Sequence, residues 1–484
     1  MKSLNLREKM YKIIFILLTG LFLILNFQIL KAKEISVEEA LQWGVLHNLD
    51  LQSIRYSIED IKRNLEIVEA GKSFQIDLSI TPIWRFGEKD NPYLVEIGEN
   101  RVAPDTKLNL SAKKMLTPNL SMSGEVSWQS ENSTEHFIEA IAEEVKANIK
   151  LEQKLYPRSW TEQERQTYSL ENNLQMKLEE LKWKEIEKQI EFIQKYLNII
   201  RLQEQLEIAS ERLRLAEEAL ERVRAQIKLG EGGFQQEAEA IISLGETQNK
   251  HWSTEQDLNM AKRQWYLLLN LPEEATVDFA TEALFIDSLF QQMENLPIFS
   301  QSRDIFINQA LQENYQFKNS VIEKDELLKE LQWTKDAGKP VVNLSGGHTY
   351  PDSDWFVMVD FRINLADGGI QELKVKQKEE NVKRKEVNLV YLMEMLRLEA
   401  EQLLDKDEYN QLILQTLSKS LEKEQEKEKI IEQQYHQGAI SLAQRDNNLI
   451  LLKEKELGLK QASDQWLVDR LKLAHLIGLL PKGV

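Results

Sequence analysis

The placement of proline limits what this chain can fold into more than any other feature. Ten prolines occur, and none lies between residues 158 and 271 or between 352 and 480. Proline inside a helix costs about 3 kcal/mol, so long proline-free tracts rich in Glu, Lys, Gln and Leu can form very long helices. A glycine turn interrupts each tract, at Gly230 and at Gly438. We therefore expect each tract to form a long helix that turns back into a shorter one.

The periodicity of apolar residues supports this expectation. Apolar residues in the first tract alternate at spacings of three and four, which is typical of the seam between packed helices; they are Leu206, Ala209, Leu213, Ala216, Leu220, Val223 and Ile227. Ser441 and Gln444 form a capping-box pattern that would restart a helix after Gly438. The predicted helices are 36–72, 158–229, 235–270, 303–338, 368–437 and 441–478. A helix of about 70 residues spans roughly 105 Å, which indicates a rod or tube.

The two halves of the chain resemble each other. Four residues recur 266 positions later: Asn48, Leu51, Leu78 and Ser79 correspond to Asn314, Phe317, Leu344 and Ser345. Later in each half the offset becomes 208, which relates Gly230 to Gly438. We predict a first structural repeat over 33–270, a linker over 271–302 and a second repeat over 303–484. Each repeat would contain a helix, strands, a long helix, a glycine turn and a helix.

Between the short and the long helix of each half, the periodicity changes to two. From Phe74 onwards the even positions are mostly apolar and the odd positions mostly polar, as a barrel strand requires. Four such segments occur in the first half and two in the second, and long loops are expected at 87–105 and 131–144. Because lipid does not tolerate free sheet edges, several copies would have to share one barrel. A soluble β-sandwich with one buried face is the alternative.

The N-terminus has the pattern of an export signal. Basic residues precede the apolar run Ile13 to Leu30, and Ala32 follows. We predict a signal peptide over residues 1–32 with cleavage after Ala32; an uncleaved membrane anchor is the alternative. The chain has a net charge of −18 and no cysteine. This composition argues against a nucleic-acid partner and excludes disulfides, thiol catalysis and cysteine-zinc sites.

Several short sequence segments, taken in the order in which they occur, resemble those of the TolC family of outer-membrane efflux proteins. Val37-Glu38-Glu39-Ala40-Leu41, followed by Asn48, resembles the opening helix of the family. Leu151 to Tyr156 and Ile363 to Gly369 resemble its strand-to-helix crossovers. The resemblance covers nearly all of the mature chain. It implies a mainly α fold with a β-barrel segment, in which a homotrimer forms an α-helical barrel in the periplasm and a shared β-barrel in the outer membrane.

The resemblance also implies a function and its partners. Family members are passive exit ducts of tripartite efflux or type I secretion systems, and a periplasmic adaptor couples them to an inner-membrane transporter. Typical members contribute two strands per half, whereas the first half here has four. The 106–130 pair is either two further barrel strands or a hairpin packed elsewhere. A periplasmic or surface coiled-coil spacer or adaptor protein is the alternative function.

The resemblance places two candidate sites near the glycine turns. The turns would dock the adaptor. The alternative is that they only reverse the chain direction, because every helical hairpin needs a turn. The docking candidates are Leu229, Gly230, Gln437, Gly438, Ala439, Ile440, Ser441 and Leu442. Polar and charged residues beside the turns are candidates for a periplasmic gate; they are Glu237, Glu239, Gln444, Arg445, Asp446 and Asn447. The alternative for the charged members is solvated surface charge. Gln444 and Asn447 stand where members of the family carry aspartates.

No motif in the sequence indicates catalysis. The six histidines are scattered without metal-ligand spacing, and the glycine pairs lack the context of a phosphate-binding loop. We expect neither an enzyme nor a cofactor or metal site.

Overall fold

The structure is a computed structural model that describes residues 34–87, 95–97, 100–129, 145–231, 233–272, 275–279, 284–296 and 302–479. The predicted signal peptide and the predicted loop 131–144 lie outside the described residues. The chain divides into two compact units, each drawn from both halves of the sequence. The helical unit comprises Met1–Ile54, Leu181–Asn314 and Glu394–Val484, and the sheet unit comprises Arg55–Glu180 and Tyr315–Met393.

The long helices occur where the proline-free tracts predict them. The described helices are α1 (Val37–His47), α2 (Leu49–Ala70), α3 (Glu162–Lys228), α4 (Phe234–Leu269), α5 (Leu284–Glu294), α6 (Arg303–Glu313), α7 (Tyr315–Ala337), α8 (Ile370–His436) and α9 (Leu442–Leu476). α3 and α8 have 67 residues each. The predicted mainly α fold class is confirmed. The repeat boundaries remain a prediction.

Two helices that the sequence predicts as continuous are each broken by a buried asparagine. Asn48 separates α1 from α2, and Asn314 separates α6 from α7. The Asn48 side-chain oxygen accepts hydrogen bonds from the backbone N–H groups of Asp50 and Leu51, so it caps α2, and its Nδ2 donates to the Leu268 carbonyl at 2.8 Å. An asparagine side chain competes with the helical backbone in this way, which is why periodicity alone did not reveal the break.

The core of the helical unit is built from large apolar residues of several helices. Trp265 of α4 is fully buried, and its Nε1 donates to the Phe192 carbonyl of α3 at 3.1 Å. Residues from the predicted linker 271–302 also enter this core, because Ile286, Leu289 and Met293 of α5 are buried within it. The linker further contains β7 (Thr276–Val277), which pairs in parallel with β1 (Glu34–Ile35).

α3 packs through two faces. The predicted seam is partly buried, because Ala209 and Leu220 are buried and its other members are half-buried. A second set, Ile208 and Leu215, packs against Ile450 and Leu457 of α9. One helix therefore contacts neighbours on two sides, which a single heptad seam does not predict.

Buried charges in the helical unit are paired. Arg470 of α9 donates from Nε to Asp407 of α8 at 2.9 Å and from Nη1 to the Met293 carbonyl at 2.8 Å. Arg201 of α3 donates from Nε to Asp464 of α9 at 2.7 Å. Removing one partner of such a pair would leave an uncompensated buried charge, which typically costs about 3–5 kcal/mol.

The sheet unit contains one antiparallel sheet. Its strands are β2 (Gln75–Gly87), β3 (Val95–Ile97), β4 (Asn100–Thr117), β5 (Leu120–Gln129), β6 (Val145–Tyr156), β8 (Val341–Tyr350) and β9 (Asp354–Arg362). Their order is β2-β4-β5-β6-β8-β9, and the short β3 pairs with β4. The predicted loop 87–105 is shorter than expected, because β4 begins at Asn100 and Gly87 pairs with Arg101. β2 and β9 form the two edges of the described sheet.

The apolar residues of the alternating strands lie on one face of the sheet, and this face points outward. On β2 and β6, the apolar residues Ile76, Leu78, Ile149 and Leu151 are exposed, and the pairing register keeps apolar residues beside one another on neighbouring strands. The predicted period of two is confirmed on these strands. No helix in the described part of the chain is both long and apolar enough to span a bilayer.

Glycine is required where the first half of the chain meets the second within the sheet. A Cβ at Gly347 of β8 would overlap the Ile149 carbonyl oxygen of β6 and lie 2.8 Å from the Phe356 ring. We expect Gly347→Ala to force β6 and β8 apart and lower stability by about 1–3 kcal/mol. Thermal unfolding of the purified protein in detergent measures this effect. Gly124→Ala is the control, because the nearest atom to its Cβ lies 3.8 Å away; equal losses in the two variants would contradict the account.

The burial of His475 should make the stability of the folded protein sensitive to acid. The His475 ring contacts the Trp183 ring in a tilted arrangement with centroids 3.9 Å apart, and neither of its ring nitrogens has a hydrogen-bond partner among the described residues. Burial, reinforced by the nearby charge of Lys184, lowers the pKa of His475 to about 4. The unfolded chain therefore takes up a proton that the folded chain excludes. Stability should fall as the pH decreases from about 6.5 towards 4, by about 3 kcal/mol at most.

Substitution of this histidine tests the prediction. His475→Phe keeps an aromatic ring beside Trp183 and removes the titrating group, so its unfolding midpoint should change less than that of the wild type between pH 7 and pH 4.5. The exposed His436 provides the control: His436→Phe should retain the wild-type pH profile. An unchanged pH profile in His475→Phe would show that other groups cause the acid sensitivity.

Candidate functional site

The helix reversal between α3 and α4 closes in a geometry that favours glycine. Gly230 has φ +79°, its N–H donates to the Ile227 carbonyl at 3.0 Å, and the Glu231 N–H donates to the Gln226 carbonyl at 2.9 Å. This pair of bonds is the Schellman motif, which satisfies carbonyls left free at a helix end.

The reversal between α8 and α9 has the same construction. Gly438 has φ +71°, its N–H donates to the Tyr435 carbonyl, and the Ala439 N–H donates to the Gln434 carbonyl at 2.8 Å. The predicted capping box is confirmed, because Ser441 Oγ accepts from the Gln444 N–H at 3.3 Å and Gln444 Oε1 accepts from the Ser441 N–H at 2.9 Å. The two turns therefore repeat each other in backbone geometry as well as in sequence.

Both turns expose apolar side chains. Leu229 is 75% exposed and Phe234, the first residue of α4, is 87% exposed. Leu442, which the offset of 208 relates to Phe234, is also exposed. Leu229 and Leu442 are among the predicted docking residues, whereas Phe234 is not. Its position directly after a glycine run, in correspondence with Leu442, was the available signal.

The remaining docking candidates lie at the surface of the second turn. Gln437, Gly438, Ala439 and Ser441 are exposed, and Ile440 is half-buried. We name the surface formed by the exposed residues of the two turns, together with Phe234, the turn surface. All its members belong to the helical unit.

The gate candidates of the first helical hairpin, formed by α3 and α4, make side-chain hydrogen bonds within that hairpin. Glu237 accepts from Arg224 Nε at 3.1 Å, which links α4 to α3 within the hairpin. Glu239 accepts from Gln235 Nε2 at 3.0 Å, one turn earlier on the same helix. The structure therefore brings Glu237 into an inter-helix pair and leaves Glu239 on the surface of α4.

The gate candidates of the second hairpin face two directions. Asp446 is buried, accepts from Arg445 Nη2 at 2.7 Å and lies 4.0 Å from Arg214 of α3. Gln444 and Asn447 are exposed, as expected for positions that face away from Asp446. The hydrogen bonds to Asp446 raise the pKa of Arg445 above its ordinary value, and its guanidinium lies 4.7 Å from the centre of the Tyr435 ring.

Ion pairs that were not predicted from the sequence connect the α3–α4 hairpin to the α8–α9 hairpin. Lys453 of α9 lies 2.6 Å from Glu211 of α3, and Arg212 of α3 lies 2.7 Å from Glu454 of α9. These pairs flank the apolar contact of Ile208 and Leu215 with α9 described above. Any rearrangement that moves one hairpin relative to the other must therefore break contacts between α3 and α9.

The outward face of the sheet is strongly apolar at its β9 edge. Trp355 is 82% exposed and Val357 is 81% exposed, and Val359 and Phe361 continue the same face. Exposed apolar surface of this extent indicates a partner surface or lipid. Among the described residues, no group of acidic or histidine side chains is arranged to hold a metal ion.

Several solved structures of membrane channels have the same architecture. CusC, described as forming a transmembrane channel, aligns with 14% identity over 92% of each chain and a TM-score of 0.61. The CmeC outer-membrane channel of Campylobacter jejuni aligns with 11% identity over 91% of this chain and 85% of that one, with a TM-score of 0.61. The chain has the TolC-like outer-membrane channel fold.

The TolC-like fold extends over nearly the whole chain. The open state of the MtrE outer-membrane channel of Neisseria gonorrhoeae aligns with 12% identity over 92% of this chain and 89% of that one, again with a TM-score of 0.61. No protein-family profile and no curated protein sequence matches the chain. The resemblance to the TolC family that was inferred from short sequence segments is therefore supported by the three-dimensional structure.

Proposed function

We propose that this protein is an outer-membrane channel and the passive exit duct of a tripartite efflux or type I secretion system. In this proposal a homotrimer shares one β-barrel in the outer membrane, and the helices extend into the periplasm. A periplasmic adaptor would couple the channel to an inner-membrane transporter, which would supply the energy and most of the selectivity. The channel itself would carry out no catalysis.

The exposed apolar face of the sheet is the observation that carries this proposal. A water-soluble protein would cover residues such as Trp355 and Val357 with another layer. From Trp355 to Phe361 the outward apolar residues of β9 extend over about 20 Å along the strand. At the strand tilt of outer-membrane barrels this run spans about 15 Å of their apolar band, which is about 25 Å tall. The structural likeness to outer-membrane channels supports the same environment.

The free sheet edges support assembly from several copies. In the described sheet, the outer backbone groups of β2 and β9 have no neighbouring strand. Each unsatisfied backbone group in hydrocarbon costs several kcal/mol, so an open sheet cannot lie in a membrane by itself. Pairing β9 of one copy with β2 of the next would satisfy both edges.

The helical unit has exposed apolar surfaces suited to the same assembly. Four exposed residues of α4 lie on one side of the helix: Ile241, Trp252, Met260 and Leu267. Four exposed residues of α8 are spaced by three or eleven positions and also share a side: Met395, Leu398, Tyr409 and Leu412. Because these residues are exposed in the single chain, the α4 and α8 surfaces are available for contacts between copies.

We place the gate near the turns and propose that it opens by separating the two hairpins. The Arg224–Glu237 pair lies within one hairpin and would persist during opening. The Glu211–Lys453 and Arg212–Glu454 pairs link different hairpins and would have to separate. Gln444 and Asn447 carry no charge, so repulsion within an acidic ring would not contribute at these positions.

Membrane association and conductance test the channel proposal. We expect the protein to remain in the outer-membrane fraction after a carbonate wash, because its apolar sheet face lies in lipid. Purified protein should produce conductance steps in planar bilayers. Release by carbonate with no conductance would contradict the proposal and favour a coiled-coil spacer or adaptor.

Substitution of apolar residues at the turns tests adaptor docking. We expect Leu229→Ser combined with Phe234→Ser to reduce adaptor binding at least tenfold, because each substitution removes an exposed apolar anchor. Co-purification with an adaptor from the same genome measures binding, and detergent gel filtration reports trimer assembly. Thr247→Ser, on the same helix α4 and away from the turn, is the control. Full adaptor binding by the double variant would refute the docking assignment.

A further inference from the structure

We propose that the β4–β5 hairpin is part of the pore wall, so that three copies of six strands form an eighteen-stranded barrel. This inference rests on the proposed channel function. It differs from the twelve strands that the family resemblance implies, and it excludes a hairpin packed elsewhere. Four observations on the sheet support it.

The hairpin lies within the sheet. β4 pairs with β2 over thirteen residues, from Gln75 opposite Lys113 to Gly87 opposite Arg101. β5 pairs with β6 over nine residues, from Leu120 opposite Gln153 to Trp128 opposite Val145. β2 and β6 are therefore separated by two strands. A hairpin displaced from the sheet would leave β2 without its neighbour.

The outward face continues across the hairpin without interruption. One row of register partners crosses all six strands, and its side chains are apolar or aromatic except for a glycine and a histidine; the row is Ile76, Ala112, Gly124, Ile149, His348 and Trp355. Within the hairpin, Leu110 and Val126 are partners and both are exposed. The hairpin thus presents to lipid the same kind of surface as β6, whose Ile149 and Leu151 are exposed.

The inward face of the hairpin is polar. The next row consists of Asp77, Ser111, Glu125, Asn148, Thr349 and Asp354, and every member is polar or charged. Asn109 Nδ2 donates to Glu125 Oε1 at 2.8 Å, which ties β4 to β5 on this face. A hairpin packed against helices would bury these groups at considerable cost. A water-filled lumen would keep the exposed acidic members Asp77, Glu125 and Asp354 solvated.

The number of strands allows a ring to close. The six strands alternate in direction along the sheet, so β2 and β9 run in opposite directions. The β9 edge of one copy therefore meets the β2 edge of the next in antiparallel fashion, as outer-membrane barrels require. Barrel diameter grows roughly linearly with strand number, so eighteen strands give about 1.5 times the diameter of twelve. Barrels of 16–18 strands leave an aqueous channel.

Electron cryomicroscopy of the full-length protein in lipid nanodiscs tests the strand count. We expect eighteen strands in the cross-section of the barrel, with β4 and β5 between β2 and β6. Twelve strands, with the hairpin outside the wall, would overturn this inference and leave the channel function intact. The absence of a membrane barrel would refute both proposals.

Paired arginine substitutions test the hairpin independently of imaging. Val126 faces outward and the adjacent Ser127 belongs to the polar face, so Val126→Arg should reduce the folded trimer at least tenfold while Ser127→Arg preserves it. The folded fraction is measured by heat-modifiable migration after reconstitution into liposomes. Ile149→Arg on β6 provides the reference, because β6 belongs to the wall in either barrel. Equal tolerance of Val126→Arg and Ser127→Arg, with Ile149→Arg defective, would place the hairpin outside the lipid and overturn the inference.

Discussion

The uncovered apolar face of a sheet with two free edges is the constraint on which the rest of this structure depends. In water that face would drive aggregation, and in lipid the edge backbone groups would lack partners. A wall closed by several copies in a membrane satisfies both requirements. The polar inward face, with Asp77, Glu125 and Asp354 in one row, then borders water. The architecture of solved outer-membrane channels agrees with this reasoning.

The two halves of the chain are more alike in backbone geometry than in the charged residues on their surface. Asn48 and Asn314 each break a helix, and Gly230 and Gly438 each close a Schellman motif with positive φ. By contrast, the offset of 208 relates the Arg224–Glu237 pair to Glu432 and Arg445, which reverses the charges. Backbone geometry at a turn tolerates few residues, whereas surface ion pairs contribute little to stability and can change freely.

Much of this fold could be predicted from the sequence, because proline placement and apolar periodicity report directly on backbone structure. The six strands, the long helices and the Ser441–Gln444 cap followed from such local rules. The helix breaks at Asn48 and Asn314 did not, because they depend on side-chain hydrogen bonds within a folded core. The second packing face of α3 and the core role of α5 depend on distant partners. Phe234 could have been identified from its place after Gly233 and its correspondence with Leu442, but glycine alone marked only the Leu229 and Gly438 turns.

Site-directed spin labelling of β9 in liposomes tests the central claim most directly. The chain has no cysteine, so a single introduced cysteine at each position from 355 to 361 carries one label without interference. Dissolved oxygen, which concentrates in lipid, should relax the labels at 355, 357, 359 and 361, and a water-soluble nickel complex should relax those at 356, 358 and 360. Nickel access at the odd positions, or no alternation along the strand, would contradict the account.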